Sequence, residues 1–195
     1  DNLGATAKMP KAAWKTVIDM GQARQLPVAA HLFYLDDAKD LLREGIDLIA
    51  HSVRDRPVDG EFIELAKSHD VCVVPTLTRE VSTFVYESTP PWFNDEFFLR
   101  HADANVLEAL KDPARQAQVR KSASAQRYKA ALTVAAANVK TMKDGGVRIA
   151  MGTDTGPPAR FQGYFEHMEL EMMVKAGLTP MQAILAATRD AARWM

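Results

Sequence analysis

The sequence predicts an α/β fold built on a parallel sheet, and two observations support that class. Four short apolar runs recur along the chain, at residues 27–31, 46–51, 71–77 and 147–152, and segments with helical spacing separate them. Each run is apolar at consecutive positions, as expected for strands that helices cover. Because strands that alternate with helices form βαβ units, the pattern favours parallel pairing.

The helical segments have recognisable ends. Pro10 is suited to the first turn of a helix that runs to about Gln25, and Gly45 ends the next one. Gly145 and Gly146 end a much longer segment, and Thr179 is a suitable N-cap before Pro180. Helices are therefore predicted at residues 10–25, 35–44, 62–67, 95–111, 122–144 and 181–193.

The third apolar run is followed by a segment that we predict to be a long irregular loop, at residues 78–94. It contains Pro90-Pro91 and the aromatic residues Phe84, Tyr86 and Trp92. Loops of this length in a compact domain are usually functional. An active-site lid and a subunit interface are equally consistent with this composition.

Composition and charge exclude several classes of function. The 195 residues include 24 Lys plus Arg and 25 Asp plus Glu, for a formal net charge of -1. A balance this close to neutral gives no basic surface for nucleic acid or an anionic membrane. No apolar stretch approaches the roughly 18 residues needed to span a bilayer. The single cysteine, Cys72, rules out an internal disulfide, and its apolar neighbours favour a buried thiol.

Three polar residues follow predicted strands at matching positions. His31 ends the first apolar run, His51 ends the second, and Asp154 follows the fourth. Because the carboxyl ends of parallel strands meet at one edge, two imidazoles and a carboxylate there form a plausible ligand set for zinc or a similar ion. Hydrogen-bonded structural histidines are the alternative on spacing alone.

The residues around Asp154 fit a site of this kind. Gly152 and Gly156 would allow the backbone to approach it closely. Thr153 and Thr155 are expected to orient the carboxylate by hydrogen bonding.

Four further residues are candidates for substrate binding. His167 follows the fourth run by a short distance, with helix capping or packing as the alternative role. Arg79, Tyr86 and Arg160 could recognise a substrate carboxylate, with a solvated surface position as the alternative. His69 and His101 fall where we expect them to be distant from the strand ends.

The order of these segments resembles part of the amidohydrolase superfamily, in its imidazolonepropionase-like and prolidase-like branch. The resemblance extends over nearly the whole chain. Its motifs are Ala-Ala-His31, Ile-Ala-His51, Pro75-Thr-Leu, Met-Gly-Thr-Asp154, Phe165-Glu-His-Met-Glu-Leu170, Lys175-Ala-Gly-Leu-Thr-Pro180 and Ala183-Ile-Leu-Ala-Ala-Thr188. The resemblance implies a partial (β/α)8 TIM barrel over residues 1–195. Strands five to eight would be present, with a helical insertion at about residues 78–144 before strand eight.

The resemblance also implies roles for the three polar residues. His31 and His51 match the metal-binding histidines of the fifth and sixth strands. Asp154 matches the eighth-strand aspartate, which binds metal and takes a proton from the attacking water. The implied activity is metal-dependent hydrolysis of a C–N bond in a small amide, cyclic amide or dipeptide, with one or two divalent ions, such as zinc, in the parent enzyme.

The sequence also departs from the family pattern. No His-x-His pair precedes His31, and the bridging lysine of the fourth strand would lie before Asp1. Both ends are interpreted as cuts through a longer protein, so we expect weak or absent metal binding and little activity from the chain alone. An open half barrel would leave two strand edges unpaired, which predicts homo-oligomers or pairing with the missing half.

Two other classes of function compete with the hydrolase. One is a non-catalytic half-barrel module that acts by assembling with a partner. The other is a flavodoxin-like binding domain, but no glycine-rich phosphate loop follows any of the four runs.

Overall fold

The computed structural model describes residues 7–194 and contains the predicted parallel sheet. The strands are β1 (Ala29–His31), β2 (Leu48–Ala50), β3 (Cys72–Val74) and β4 (Arg148–Ile149), in the order β1-β2-β3-β4. All three pairings are parallel, with Ala30 beside Ile49, Ile49 beside Val73 and Val73 beside Ile149. The chain ends, residues 1–6 and 195, lie outside the described part.

Helices connect the strands and follow the sheet, mostly within the predicted bounds. None of those in residues 7–194 combines the length and apolar character needed to cross a membrane. They are α1 (Lys11–Ala23), α2 (Leu35–Arg43), α3 (Gly60–Ser68), α4 (Leu77–Phe84), α5 (Glu96–Leu99), α6 (Ala104–Lys111), α7 (Pro113–Lys121), α8 (Ala123–Asp144), α9 (Tyr164–Lys175), α10 (Pro180–Leu185) and α11 (Ala191–Trp194), with a π-helical turn at Ala186–Asp190.

The prediction of a long irregular loop at residues 78–94 is wrong. Its first part is helix α4, and short 3-10 turns follow at Val85–Glu87 and Pro91–Asn94. Leu77 and Val81 lie one helical turn apart and are both buried, and α4 packs against α8. The prolines therefore interrupt only the end of a segment that helix packing orders.

Both faces of the sheet are covered, as the apolar runs predict. Ile49, Val73 and Ile149 point into the main core beneath the helices. Leu48 and Cys72 point to the opposite face, where Trp194 packs against their cluster. Cys72 is fully buried, and burial raises the pKa of its thiol to about 11, so it behaves as a small apolar residue.

The segment between β3 and β4 has a second, aromatic core. Its buried members are Tyr86, Phe93, Phe98, Leu107 and Leu110. Phe161 and Tyr164, which lie between β4 and α9 or at the start of α9, pack against this cluster. The helical segment between β3 and β4 is therefore anchored to the chain segment that follows Asp154.

A buried asparagine ties α8 to the loop between β2 and α3. Asn138 accepts a hydrogen bond from Val58 N (2.9 Å) and donates to Val53 O (2.8 Å) and Arg56 O (3.0 Å). Its side chain thereby satisfies three backbone groups that helix packing removes from water.

Replacing this asparagine should destabilise the fold. We expect Asn138→Ala to lower the free energy of unfolding by about 2–3 kcal/mol, because buried backbone groups lose their partners. Urea unfolding followed by circular dichroism measures the loss. The exposed helical residue Asn105 provides the control, since Asn105→Ala should stay within about 0.5 kcal/mol of the parent. Equal effects of the two substitutions would contradict this role of Asn138.

Candidate metal centre

The carboxyl ends of the strands bring the predicted polar residues to one edge of the sheet. His31 is the last residue of β1, His51 directly follows β2, and Asp154 follows β4. His51, Thr76 and Asp154 have left-handed backbone conformations, with φ of 74°, 51° and 57°. Such conformations cost non-glycine residues of order 1 kcal/mol each and concentrate at functional sites.

The two histidines contact each other directly. His31 Nδ1 lies 2.8 Å from His51 Nε2, and their ring centroids are 4.8 Å apart. The other nitrogen of His51, Nδ1, lies 2.6 Å from Thr76 Oγ1. A consistent proton assignment has His51 Nδ1 donate to Thr76 and His31 Nδ1 donate to His51 Nε2. His51 Nε2 then carries the lone pair that faces His31.

The surroundings keep His51 neutral. Burial and, to a smaller extent, the nearby positive charges of Arg54, Arg79 and Arg160 lower the pKa of His51 to about 3. A neutral imidazole is the form that binds metal ions. His31, in contrast to the buried His51, is exposed at the edge of the sheet.

Asp154 is held by Arg160. Arg160 Nη1 donates to Asp154 Oδ2 (2.5 Å) and to the backbone oxygen of the same residue (2.9 Å), and Arg160 Nε donates to Ser82 Oγ (3.1 Å). This two-point contact orients the aspartate and leaves its Oδ1 outside the ion pair.

The threonines beside Asp154 act differently from the prediction. Thr153 Oγ1 and Thr155 Oγ1 donate to Glu166 Oε1, at 2.8 and 2.7 Å, rather than to the Asp154 carboxylate. They fix the backbone on either side of Asp154. Gly152 permits the expected close approach, since a Cβ there would lie 2.5 Å from Val74 Cγ1.

A buried cluster of charges lies behind His51. Arg54 is 4% exposed and donates from Nη1 to Leu32 O (3.0 Å) and Ser52 O (2.6 Å). Its Nε lies 3.1 Å from Glu80 Oε1, an ion pair without the geometry of a hydrogen bond. Arg79 Nη1 contacts the same carboxylate at 3.2 Å, and burial raises the pKa of Glu80.

Sequence reasoning missed four residues of this region: Thr76, Arg54, Glu80 and Glu169. Glu169 is fully buried, and burial raises its pKa to about 7 although three donors oppose the shift. A signal for Glu169 was present, because it lies four residues from both Phe165 and Met173, which are buried on the same face of α9.

The four predicted substrate-binding residues do not converge on one point. Arg160 lies at Asp154, and the Arg79 guanidinium packs over the Tyr128 ring at 4.7 Å. Tyr86 is buried in the aromatic core, where its hydroxyl donates to Ala159 O (2.6 Å). His167 is exposed on α9, with its ring against Phe97 at 5.2 Å.

The nitrogen pair fits part of a metal coordination shell. Two ligands at tetrahedral zinc lie about 3.3 Å apart, given bonds of about 2.0–2.1 Å. The 2.8 Å between His31 Nδ1 and His51 Nε2 is close to that spacing. Within residues 7–194, no group of three or more His, Cys, Asp or Glu side chains is arranged to hold a metal ion. The described chain therefore presents two convergent nitrogen donors and a separate carboxylate.

Known structures share this fold. The chain matches a Xaa-Pro dipeptidase with methionine bound in its active site, at a TM-score of 0.68 and 19% identity over 98% of this chain and 39% of that one. An ochratoxinase from A. niger matches at 0.64 and 22% identity, over 97% and 35% of the two chains. A bottromycin amidohydrolase matches at 0.67 and 18% identity, over 97% and 45%. No family model and no curated protein matches the sequence.

These likenesses define the class of fold. The predicted resemblance to part of an amidohydrolase barrel is confirmed for the fold, which is a mixed α/β arrangement on a parallel four-stranded sheet. The chain spans 35–45% of the length of the three proteins described above.

The buried charge cluster should be sensitive to loss of its carboxylate. We expect Glu80→Ala to lower the free energy of unfolding by about 3–5 kcal/mol, because Arg54 would remain buried without its counter-charge. Glu108, an exposed residue paired with Lys111, is the control, and Glu108→Ala should cost less than about 1 kcal/mol. Chemical denaturation gives both values, and a small effect at Glu80 would show that Arg54 is stabilised by its carbonyl contacts alone.

Proposed function

We propose that this chain is the part of an amidohydrolase barrel that contains strands five to eight, and that the parent protein hydrolyses C–N bonds in small amides, cyclic amides or dipeptides. The observation that supports this most directly is the pair of imidazole nitrogens that converge at the carboxyl ends of β1 and β2. The Thr76 contact to the far nitrogen of His51 is the kind of support that metal-binding histidines require.

The residues that would hold the metal are His31, His51 and Asp154. Imidazole nitrogens and a carboxylate oxygen suit zinc or a similar divalent ion, of which the parent would bind one or two. When bound, such an ion supplies Lewis acidity and makes water more acidic. Two nitrogens form only part of a closed shell, so we expect weak binding by the chain alone.

The chain's own residues prepare the site for proton transfer. His51 stays neutral because it is buried beside three arginines, so its lone pair is available at neutral pH. Asp154 is proposed to accept the proton of the attacking water. Arg160 binds Oδ2 and orients the group, and Oδ1 is left to take the proton.

Two arginines are proposed to bind a substrate carboxylate. Arg160 lies at Asp154, and both Arg160 and Arg79 are near enough to influence His51 electrostatically. Tyr86 has its hydroxyl occupied by Ala159, so we assign it a packing role. His167 could contact only a substrate that reaches the insertion at Phe97.

Zinc binding by the purified chain tests the site. We expect weak binding in isothermal titration, and a loss greater than about 10- to 100-fold in His31→Ala and His51→Ala, because a direct ligand matters more than its supporting residues. The exposed His69 follows α3, at the opposite end of the strands, and His69→Ala should bind zinc as tightly as the unsubstituted chain does. Equal binding by all three variants would refute the metal centre.

Hydrolysis by the longer parent protein tests the reaction. With a panel of dipeptides and N-acyl amino acids, Asp154→Asn should reduce kcat/KM by about 10²- to 10⁴-fold, because the amide cannot accept the proton. Zinc content should be measured in the same preparation. Full activity of Asp154→Asn with unchanged zinc would assign the proton transfer to another group.

Assembly with a partner is the second candidate function, and the edge of the sheet favours it. β1 pairs only with β2 among the described strands, and Ala29 and His31 are exposed on it. Val17 and Leu26, which lie before β1, are also more than half exposed. An unpaired strand edge beside exposed apolar groups promotes association.

The oligomeric state tests this candidate. We expect light scattering coupled to size exclusion to give a mass above the 21.6 kDa of one chain. Ala29→Lys should shift the population toward monomer, because a lysine at an open strand edge opposes pairing. Met181→Lys is the control, since Met181 is 61% exposed on α10. If the unsubstituted chain of 195 residues is monomeric at all concentrations, self-assembly is ruled out.

A further inference from the structure

Helix α9 carries two acidic residues whose carboxylates reach the strand ends. Glu166 and Glu169 lie three positions apart, so they point to similar sides of the helix. Glu169 is fully buried, and Glu166 is partly buried. The Glu169 carboxylate accepts three hydrogen bonds from Leu77 and Thr78, whereas the Glu166 carboxylate accepts two from the Asp154 loop and one from Gly163, at the start of α9.

Glu169 caps the N-terminus of helix α4, because the N-cap residue of that helix does not. Its carboxylate accepts hydrogen bonds from Leu77 N (2.8 Å), Thr78 N (2.7 Å) and Thr78 Oγ1 (2.8 Å). Thr76 is the N-cap residue of α4, and a threonine hydroxyl would ordinarily accept from these amides. The Thr76 side chain makes no capping bond, and its hydroxyl contacts His51 Nδ1 instead. The amides of α4 therefore depend on α9 for their acceptor.

Glu166 holds the loop on both sides of Asp154. Oε1 accepts from Thr153 Oγ1 (2.8 Å) and Thr155 Oγ1 (2.7 Å). Oε2 accepts from Gly163 N (2.6 Å), which fixes the start of α9. Asp154 thus lies between two anchored residues, and this accounts for its stable left-handed backbone.

We infer that α9 is the positioning element of the candidate centre, with Glu169 placing His51 through Thr76 and Glu166 placing Asp154 through Thr153 and Thr155. That these placed residues bind a metal and act in hydrolysis rests on the proposed function. The contacts made by Glu166 and Glu169 do not depend on it. The two carboxylates should act separately, because they share no hydrogen-bond partner.

The first test is the state of the His51 ring in the metal-free chain. Ring-nitrogen NMR of the unsubstituted chain at one mildly alkaline pH should show a single tautomer of His51, with its Nδ1 protonated. In Glu169→Gln one of the two accepting oxygens becomes an NH2 group, so the turn at Thr76 loses part of its anchor. We therefore expect the two nitrogen signals of His51 to move toward each other as the tautomers mix. Thr76→Val, which removes the acceptor directly, should give the same change.

Two further variants make this test specific. Glu166→Gln should leave the His51 nitrogens in place and shift the Asp154 signals. Glu171 lies on the same helix but is 70% exposed, so Glu171→Gln should alter neither set. Unchanged His51 signals in a folded Glu169→Gln protein would overturn the role of Glu169, and unchanged Asp154 signals in Glu166→Gln would overturn that of Glu166.

A milder variant covers the case in which Glu169→Gln does not fold. Thr78→Val removes one of the three donors to Glu169 and leaves both backbone amides in place. We expect a smaller shift of the His51 nitrogens in the same direction. A folded Thr78→Val protein with the parent's His51 signals would count against the inference.

Zinc titration separates the positioning role from the proposed function. If the chain binds zinc, Glu169→Gln should weaken the binding by about tenfold, as loss of a ligand's support does, and Glu171→Gln should not. If the unsubstituted chain binds no zinc, the metal centre proposed for this chain fails. The NMR result then still decides whether α9 places His51 and Asp154.

Discussion

The contact between Thr76 and His51 is the constraint on which the arrangement of the strand ends depends. Thr76 Oγ1 lies 2.6 Å from His51 Nδ1, and both residues have left-handed backbones. The contact takes the threonine hydroxyl away from the start of α4. Another acceptor must then cap that helix, and Glu169 of α9 supplies it.

Much charge is also buried near this edge of the sheet. Glu169, Glu80 and Arg54 are each less than 5% exposed. Apolar residues of similar size often give equal or greater stability at such positions. Among these buried charges, Glu169 accepts hydrogen bonds from backbone amides, and Arg54 lies near a neutral histidine. We infer that they fix the positions of these groups and do not make the fold more stable than apolar residues would. Local departures from the rules of stable packing are expected at functional sites.

The sequence predicted the features that depend on local patterns. Apolar runs, the parallel rule and residue order together predicted that His31 and His51 would meet, and the N-cap of α10 at Thr179 was recognisable from the chain alone. Helix α4 was missed because Pro90-Pro91 and the aromatic residues gave its segment the composition of a loop. The helical spacing of α9 could have shown that Glu169 is buried, but not what it contacts, because its partners lie 91 and 92 positions away.

The position of His31 connects the two proposals for function. Of the two histidines, His51 is buried within the chain, whereas His31 is exposed on the edge strand. Any strand that paired with β1 would cover His31 and remove the site from water, which strengthens electrostatic interactions there. The strand that pairs with β1 would then also complete the metal coordination at His31. Under these two proposals, the chain would contribute a half-site in which His51, Thr76 and the α9 carboxylates are already placed.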